Sequence, residues 1–235
     1  MNLYPIKLLP FVSETIWGGR KLIDEYGVKT EKNNAAEGWM LSCHEAGSST
    51  VANGEFAGKS FADVVKENPD LCGKNAGNFS DFPILIKFID AMDNLSVQVH
   101  PTNDFAEEYC DAKGKTEMWY IVDADKGAGI YLGFKKDVTQ EEYENAIKEH
   151  TLTDLLNFFE VKAGESYFIP AGTIHAIGKG CLICEIQQNS NLTYRVYDYG
   201  RKDKNGNERE LHVEKALKAQ KMPLFLTFFK KGIAI

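Results

Sequence analysis

From Leu95 to His100 the chain alternates with period two. Leu95, Val97 and Val99 fall on one side and Ser96, Gln98 and His100 on the other, until Pro101 ends the run. Such alternation predicts a strand with one apolar and one polar face. A strand facing water ordinarily carries Lys, Glu or Thr there, not a serine, an amide and an imidazole. Elsewhere the pattern is more conventional. "EGWMLSCHEAGSSTVANGEFAG" reads as strands joined by Gly/Asn/Ser turns, and "DFPILIKFIDA" as a buried strand interrupted by Lys87. "SFADVVKENPDLCG" has helical spacing and stops near Pro69, and "PTNDFAEEY" predicts a helix capped by Thr102 or Asn103. The longest helical signal covers residues 137–160, where Thr139 and Glu142 form a capping box and Leu152, Leu155, Leu156 and Phe159 repeat at helical spacing. The chain then returns to strands separated by glycines. Strands outnumber helices without βαβ alternation, linker or repeat, which predicts one mainly β domain, a barrel or sandwich with attached helices.

Composition narrows what such a domain meets. A net charge of −7 over 235 residues offers no basic surplus for nucleic acid or an anionic membrane, although a local basic pocket still suits a small anionic substrate. No apolar run reaches the roughly 18–20 residues of a membrane span, and the N-terminus lacks the pattern of a secretory signal, so a cytoplasmic protein is expected. Five cysteines without framework spacing read as reduced thiols. Cys181 and Cys184 form C-x-x-C, but in an apolar strand without a second pair, and core packing is the expected role.

Three segments place polar residues where strands bury something: Gln98 with His100, Lys115 with Glu117 in "GKTEMWYIVDA", and His175 at the end of "PAGTIH". Alone, His100 reads equally as a hydrogen-bonded strand-end histidine and Glu117 as half of a strand ion pair. Together, two imidazoles and a carboxylate make an open site for a divalent ion such as Zn²⁺, with the Gln98 carbonyl as a fourth ligand. Arg195 sits on a strand between Tyr194 and Val196, where an unpaired guanidinium is costly. Lys115, two before Glu117, shares its face. Glu185 is a carboxylate in an apolar strand, a setting that raises a carboxyl pKa and suits proton transfer, or that pairs with Arg195.

Gly164, Pro170, Gly172 and His175 match the second cupin motif, G-x5-P-x-G-x2-H, whereas the first motif is altered to Q-x-H with the glutamate seventeen residues on. "LSVQVHP", "GKTEMWYIVDA", "PAGTIHAIGKG" and "EIQQNSNLTYRVYDYGR…RELH", in this order, resemble the type I mannose-6-phosphate isomerases, in particular the short bacterial form. "SETIWGGRKL" and "EGWMLS" fit the same family. The resemblance implies a cupin jelly-roll β-barrel with attached helices and a zinc-dependent aldose–ketose isomerase, one ion per chain, acting on mannose 6-phosphate. It places the metal ligands on His100, Glu117, His175 and Gln98 and the catalytic arginine on Arg195, and it brings Lys87, Ser96 and Arg201 to the 6-phosphate. Other divalent ions suit the same ligands.

The resemblance also frames residues 1–235 as a single catalytic domain, with the usual C-terminal β-domain absent or truncated. The terminal "KMPLFLTFFKKGIAI" departs from the family and reads as a last strand covering the barrel. A non-catalytic cupin that binds a sugar phosphate is the competing function. Retention of Lys115, Arg195 and Arg201 around the ligands favours the isomerase.

Overall fold

The apolar stripes resolve into two antiparallel sheets laid face to face, in a computed structural model that describes residues 4–75, 79, 81–202 and 205–220. Its strands are β1 (Leu8–Leu9), β2 (Phe11–Ser13), β3 (Glu37–Leu41), β4 (Cys43–His44), β5 (Gly47–Ser48), β6 (Thr50–Val51), β7 (Ile84–Asp90) and β8 (Val97–Val99). They continue with β9 (Glu117–Ala124), β10 (Gly129–Phe134), β11 (Leu156–Glu160), β12 (Ser166–Ile169), β13 (His175–Ile177), β14 (Cys181–Gln188) and β15 (Tyr194–Tyr197). One sheet has the order β11-β10-β13-β8-β15 and the other β12-β9-β14-β7-β3-β2. The mainly β expectation holds. Among the described residues the two ladders stay separate, so the layers make a sandwich rather than one closed ring of strands.

Ile89, Trp119, Ile121 and Ile183 from the six-stranded sheet interlock with Ile130, Leu132 and Ile177 from the five-stranded one. Burying each such aliphatic side chain stabilises the fold by about 1.5–3 kcal/mol. The outer face of the five-stranded sheet, with Val97, Val99, Ala176 and Val196, packs against α4 (Gln140–Lys148) and α5 (Val213–Ala219). Outside the six-stranded sheet, Leu22 of α1 (Lys21–Asp24) packs with Val12 and Leu182. The remaining helices are α2 (Phe61–Glu67) and α3 (Asn103–Cys110), the latter capped by Thr102, whose hydroxyl accepts from Phe105 N–H.

One expectation is corrected. The helical signal over 137–160 holds only for α4, whose capping box joins Thr139 and Glu142. His150 then turns into the left-handed region (φ 60°), Leu152–Leu155 form a 3₁₀ turn, and Leu156–Glu160 become the edge strand β11. Pairing with β10 overrides the local spacing, because it satisfies a row of backbone groups that a longer helix would leave at the sheet edge. Cys181 packs in the inter-sheet core, and Cys184, in register with Tyr120 and Phe88, lies on a different face of β14, so the pair does not converge on a common ligand. The expected terminal strand lies outside the described residues. No helix among the described residues is long and apolar enough to cross a membrane.

Candidate metal centre and its cavity

The period-two reading holds over residues 96–100, where it decides where the centre forms, while Leu95 turns into the inter-sheet core instead of joining Val97 and Val99. Because Val97 and Val99 pack outward under the helices, Ser96, Gln98 and His100 point between the sheets. β13 and β15 flank β8, so His175, Gln98 and Arg195 stand side by side on three adjacent strands. The turn ahead of β13 needs a left-handed residue, supplied by Gly172 (φ 86°), and the Gly172 N–H donates to the His100 carbonyl at 2.7 Å. That bond sets the two histidines together, with ring centroids 4.8 Å apart. Glu117 enters from β9 of the opposite sheet.

All three side chains are buried, and their ligand atoms lie within 4.8 Å of one another. Each imidazole is oriented by its far nitrogen. His100 Nδ1–H donates to the Leu192 carbonyl and His175 Nδ1–H to the Thr173 carbonyl, both at 2.9 Å. Nε2 of each ring is then left as a lone-pair donor facing the carboxylate. His100 Nε2 is 3.5 Å from Glu117 Oε2, and His175 Nε2 is 3.4 Å from Oε1. Ligand atoms about 2.1 Å from a tetrahedral zinc stand about 3.4 Å apart, the same spacing. Glu117 Oε2 faces the Lys115 ammonium, while Oε1 accepts no hydrogen bond among the described residues. A buried carboxylate between two neutral imidazoles, with one oxygen left unpartnered, fits a divalent cation. Gln98 stands beside them, its amide nitrogen 3.4 Å from His175 Nε2.

Electrostatics agree with this use. Burial, then Lys115, holds His100 well below the usual histidine range, and burial brings His175 down to about 4, so both are neutral at pH 7. Burial and the neighbouring Glu185 push the Glu117 carboxyl up to about 8 in the metal-free protein. Burial works against the Lys115 ammonium, but Glu117 and Glu185 outweigh it and raise its pKa. Its Nζ lies 2.9 Å from Glu117 Oε2 and 3.2 Å from His100 Nε2.

A cavity of about 430 Å³ opens beside the centre, bordered by Gln98, Lys115, Glu185, Lys87, Ser96 and Arg195 among others. On its six-stranded wall a cross-strand row runs Trp119, Glu185, Lys87, Trp39. Trp119 Nε1–H donates to Glu185 Oε2 at 3.0 Å, and the other Glu185 oxygen is 3.6 Å from both Lys87 Nζ and Lys115 Nζ. Lys87 also reaches Glu37 Oε2 at 3.4 Å and lies over the Trp39 ring.

The expected rise in the Glu185 pKa is therefore corrected. Burial alone would raise it, but Lys115 and Lys87 together bring it down to about 2. Nor does Glu185 pair with Arg195, which donates instead to Ser96 Oγ and the Glu210 carbonyl.

Nine of the ten candidate residues thus gather at the centre or on the cavity wall. Arg201 does not line the cavity: it donates to Asp198, to the Asn94 carbonyl and to Asp93. Glu37, Trp39 and Arg209 line it and were missed. Glu37 had a signal in the quoted "EGWMLS", a carboxylate two residues before a tryptophan on one strand face. A larger groove of about 870 Å³ beside Cys43, Cys72 and Phe82 shares none of these residues.

Residues 6–131 match the family model "Phosphomannose isomerase type I, catalytic domain". The chain is 42% identical over 221 residues to the probable mannose-6-phosphate isomerase GmuF of Bacillus subtilis, covering 94% of this chain and 69% of that protein. It is also 42% identical to the mannose-6-phosphate isomerase of Streptococcus mutans, over 91% of this chain and 66% of that one. A crystal structure of mannose 6-phosphate isomerase from Bacillus subtilis superposes with a TM-score of 0.87 at 39% identity, over 95% of this chain and 71% of that chain.

Proposed function

This chain belongs to the type I phosphomannose isomerases, and from that premise we propose that it interconverts mannose 6-phosphate and fructose 6-phosphate at the His100–Glu117–His175 centre. The observation that carries the reading is the buried Glu117 carboxylate, one oxygen paired with Lys115 and the other accepting no hydrogen bond, facing two imidazoles whose other nitrogens are already anchored. Zinc, one per chain and with Gln98 as a further ligand, is the ion proposed, in a cytoplasmic setting. When bound, it would supply Lewis-acid polarisation of the sugar's carbonyl and hydroxyl oxygens.

The protein's own groups do the rest. Isomerisation removes the proton from the carbon beside the carbonyl and returns one to the neighbouring carbon, through an enediolate that needs positive charge near it. Arg195 brings a half-buried guanidinium to the cavity, and Lys115 an ammonium that stays protonated at neutral pH. Glu185 stays ionised beside Lys115, so the pair offers a proton acceptor and a donor on one wall. The buried wall keeps Glu185 and Lys115 from bulk water.

The test is a coupled assay for fructose 6-phosphate formation from mannose 6-phosphate on chelator-treated protein, with and without added Zn²⁺. Zinc-restored turnover is expected. Folded, metal-loaded protein without turnover would refute the isomerase and leave a sugar-phosphate binding module.

A further inference from the structure

Of the charged groups assigned to the reaction, Arg195 is the one on an edge strand. It stands on β15, at the end of the five-stranded sheet, where the pairing with β8 shifts register between Arg195 and Tyr197. The free side of such a strand ordinarily leaves its N–H and carbonyl groups to water. At Arg195 one residue takes up both. The His212 N–H donates to the Arg195 carbonyl at 2.7 Å, and the Arg195 N–H donates to His212 Nδ1 at 3.3 Å. The guanidinium is held from the same stretch of chain. Its Nη1 donates to the Glu210 carbonyl at 3.0 Å, while Nε donates to Ser96 Oγ at 3.3 Å.

His212 is an unusual residue for its place in the chain. It is the N-cap of α5, a position that favours Ser, Thr, Asp or Asn, whose short side-chain oxygen accepts from the first free N–H groups of a helix. The His212 side chain makes no such capping bond. It turns to β15 instead, where its ring lies beside that of Tyr194 with centroids 6.3 Å apart. The helix that carries it is seated on the outer face of the sheet through Ala216 and Ala219. The tautomer suits an acceptor. Nε2 lies 3.7 Å from the Glu210 carboxylate, which favours a proton there and leaves the Nδ1 lone pair to the Arg195 amide. Burial outweighs the opposing Glu210 and, with Arg195 and Lys215, holds the ring below the usual histidine range, so it is neutral at pH 7.

We infer that His212 is a positioning residue for Arg195: its amide and its ring together stand in for the strand that β15 lacks at that point, and with the Glu210 carbonyl they hold the guanidinium at the cavity. The helix forgoes an ordinary cap so that the side chain can serve the strand, a local preference overruled by the site. Reach explains why a histidine is used. Nδ1 is two bonds from Cβ, as is the side-chain oxygen of asparagine, whereas a serine oxygen stops one bond short. Arg195 is thereby made to depend on α5, none of whose residues lines the cavity. This assignment rests on the isomerase reading for what Arg195 does, but not for the clamp itself.

The first readout needs no substrate. Amide hydrogen exchange, followed by heteronuclear NMR on the metal-loaded protein, is expected to show the Arg195 N–H protected although it faces a free sheet edge. That protection should fall about tenfold or more in His212→Ser and return in His212→Asn. The second readout is kinetic. His212→Ser should lower kcat for mannose 6-phosphate about tenfold and change KM less than about threefold, because what it disturbs is a group that acts on the enediolate. Its Tm should be unchanged or higher, since serine is the better cap for α5. His212→Asn should recover most of kcat. A merely structural His212 would show the opposite split, with Tm lost and kcat kept. An Arg195 amide that exchanges as fast in the wild type as in His212→Ser, or a His212→Ser kcat within about twofold of wild type, overturns the clamp. If the exchange pattern holds and the wild type turns over no sugar, the clamp stands and the isomerase reading falls. Should His212→Ser fail to fold, exchange of the wild-type Arg195 amide and the His212→Asn kinetics decide.

Discussion

Glu185→Gln removes one charge and almost no volume, so it isolates the electrostatics of the cavity wall. Gln keeps an oxygen for the Trp119 N–H. What it loses is the anion 3.6 Å from both Lys87 and Lys115, in a place where all three side chains are almost inaccessible to water. Removing one partner of a buried ion pair costs about 3–5 kcal/mol, because the remaining charge stays desolvated. Linkage gives a similar figure: the folded value of about 2, against an ordinary 4.5, corresponds to about 3 kcal/mol at neutral pH. The sign follows from the depressed pKa. The stabilisation is complete above the unfolded value near 4.5 and disappears as pH falls through about 2. For a chain of this size about 3 kcal/mol lowers Tm by about 6–12 °C. The assay is thermal unfolding of metal-free wild type and variant at pH 7, repeated at pH 5, 4 and 3. The gap should be widest at pH 7 and narrow as the solution becomes acidic. A variant within about 1 °C of wild type at pH 7, or a gap that widens toward pH 3, would refute the claim that Glu185 is held ionised by the two lysines.

His175→Ala should leave a folded chain that retains no metal, and a full equivalent by elemental analysis would remove His175 from the centre. Because Glu117 titrates at about 8 in the metal-free protein while both histidines stay neutral far lower, ion binding should release about one proton below pH 8. Zinc affinity measured by chelator competition should therefore rise about tenfold per unit between pH 6 and 8 and flatten above, and a pH-independent affinity would contradict this. Thr139→Ala should cost about 1 kcal/mol in urea unfolding through loss of the α4 capping box, with zinc content unchanged.

What the sequence disclosed depended on how local the signal was. Ser96, Gln98 and His100 were readable because their alternation with Val97 and Val99 states which way each points, and one strand suffices to see it; Leu95, ahead of that strand, breaks the pattern and turns into the inter-sheet core. His175 was readable because the Gly172 turn is written in its own residues. The direction of the Glu185 pKa was not, since the charges that set it come from Lys87 on β7 and Lys115 ahead of β9, nearly a hundred residues apart at most from Glu185. Leu152–Phe159 misled because their spacing fits a helix, whereas the strand is imposed by β10. Arg201 and Arg209 could not be told apart along the chain. Which of them reaches the cavity depends on how Asp198 is shared and on the segment after Gly206 folding back against β15.

His100 and His175 hang from the five-stranded sheet and Glu117 from the six-stranded one, so an ion held by the three is a rivet through both layers. No hairpin or single sheet of this chain contains more than part of the ligand set, and His100 and His175 are 75 positions apart. Such a rivet cannot be set early. The distant strand pairings must close first, which makes assembly of this topology slow by nature and leaves the binding energy to accrue only to the finished sandwich. Bound metal would then report that the two sheets have met, and its loss would loosen them along the seam on which the cavity opens.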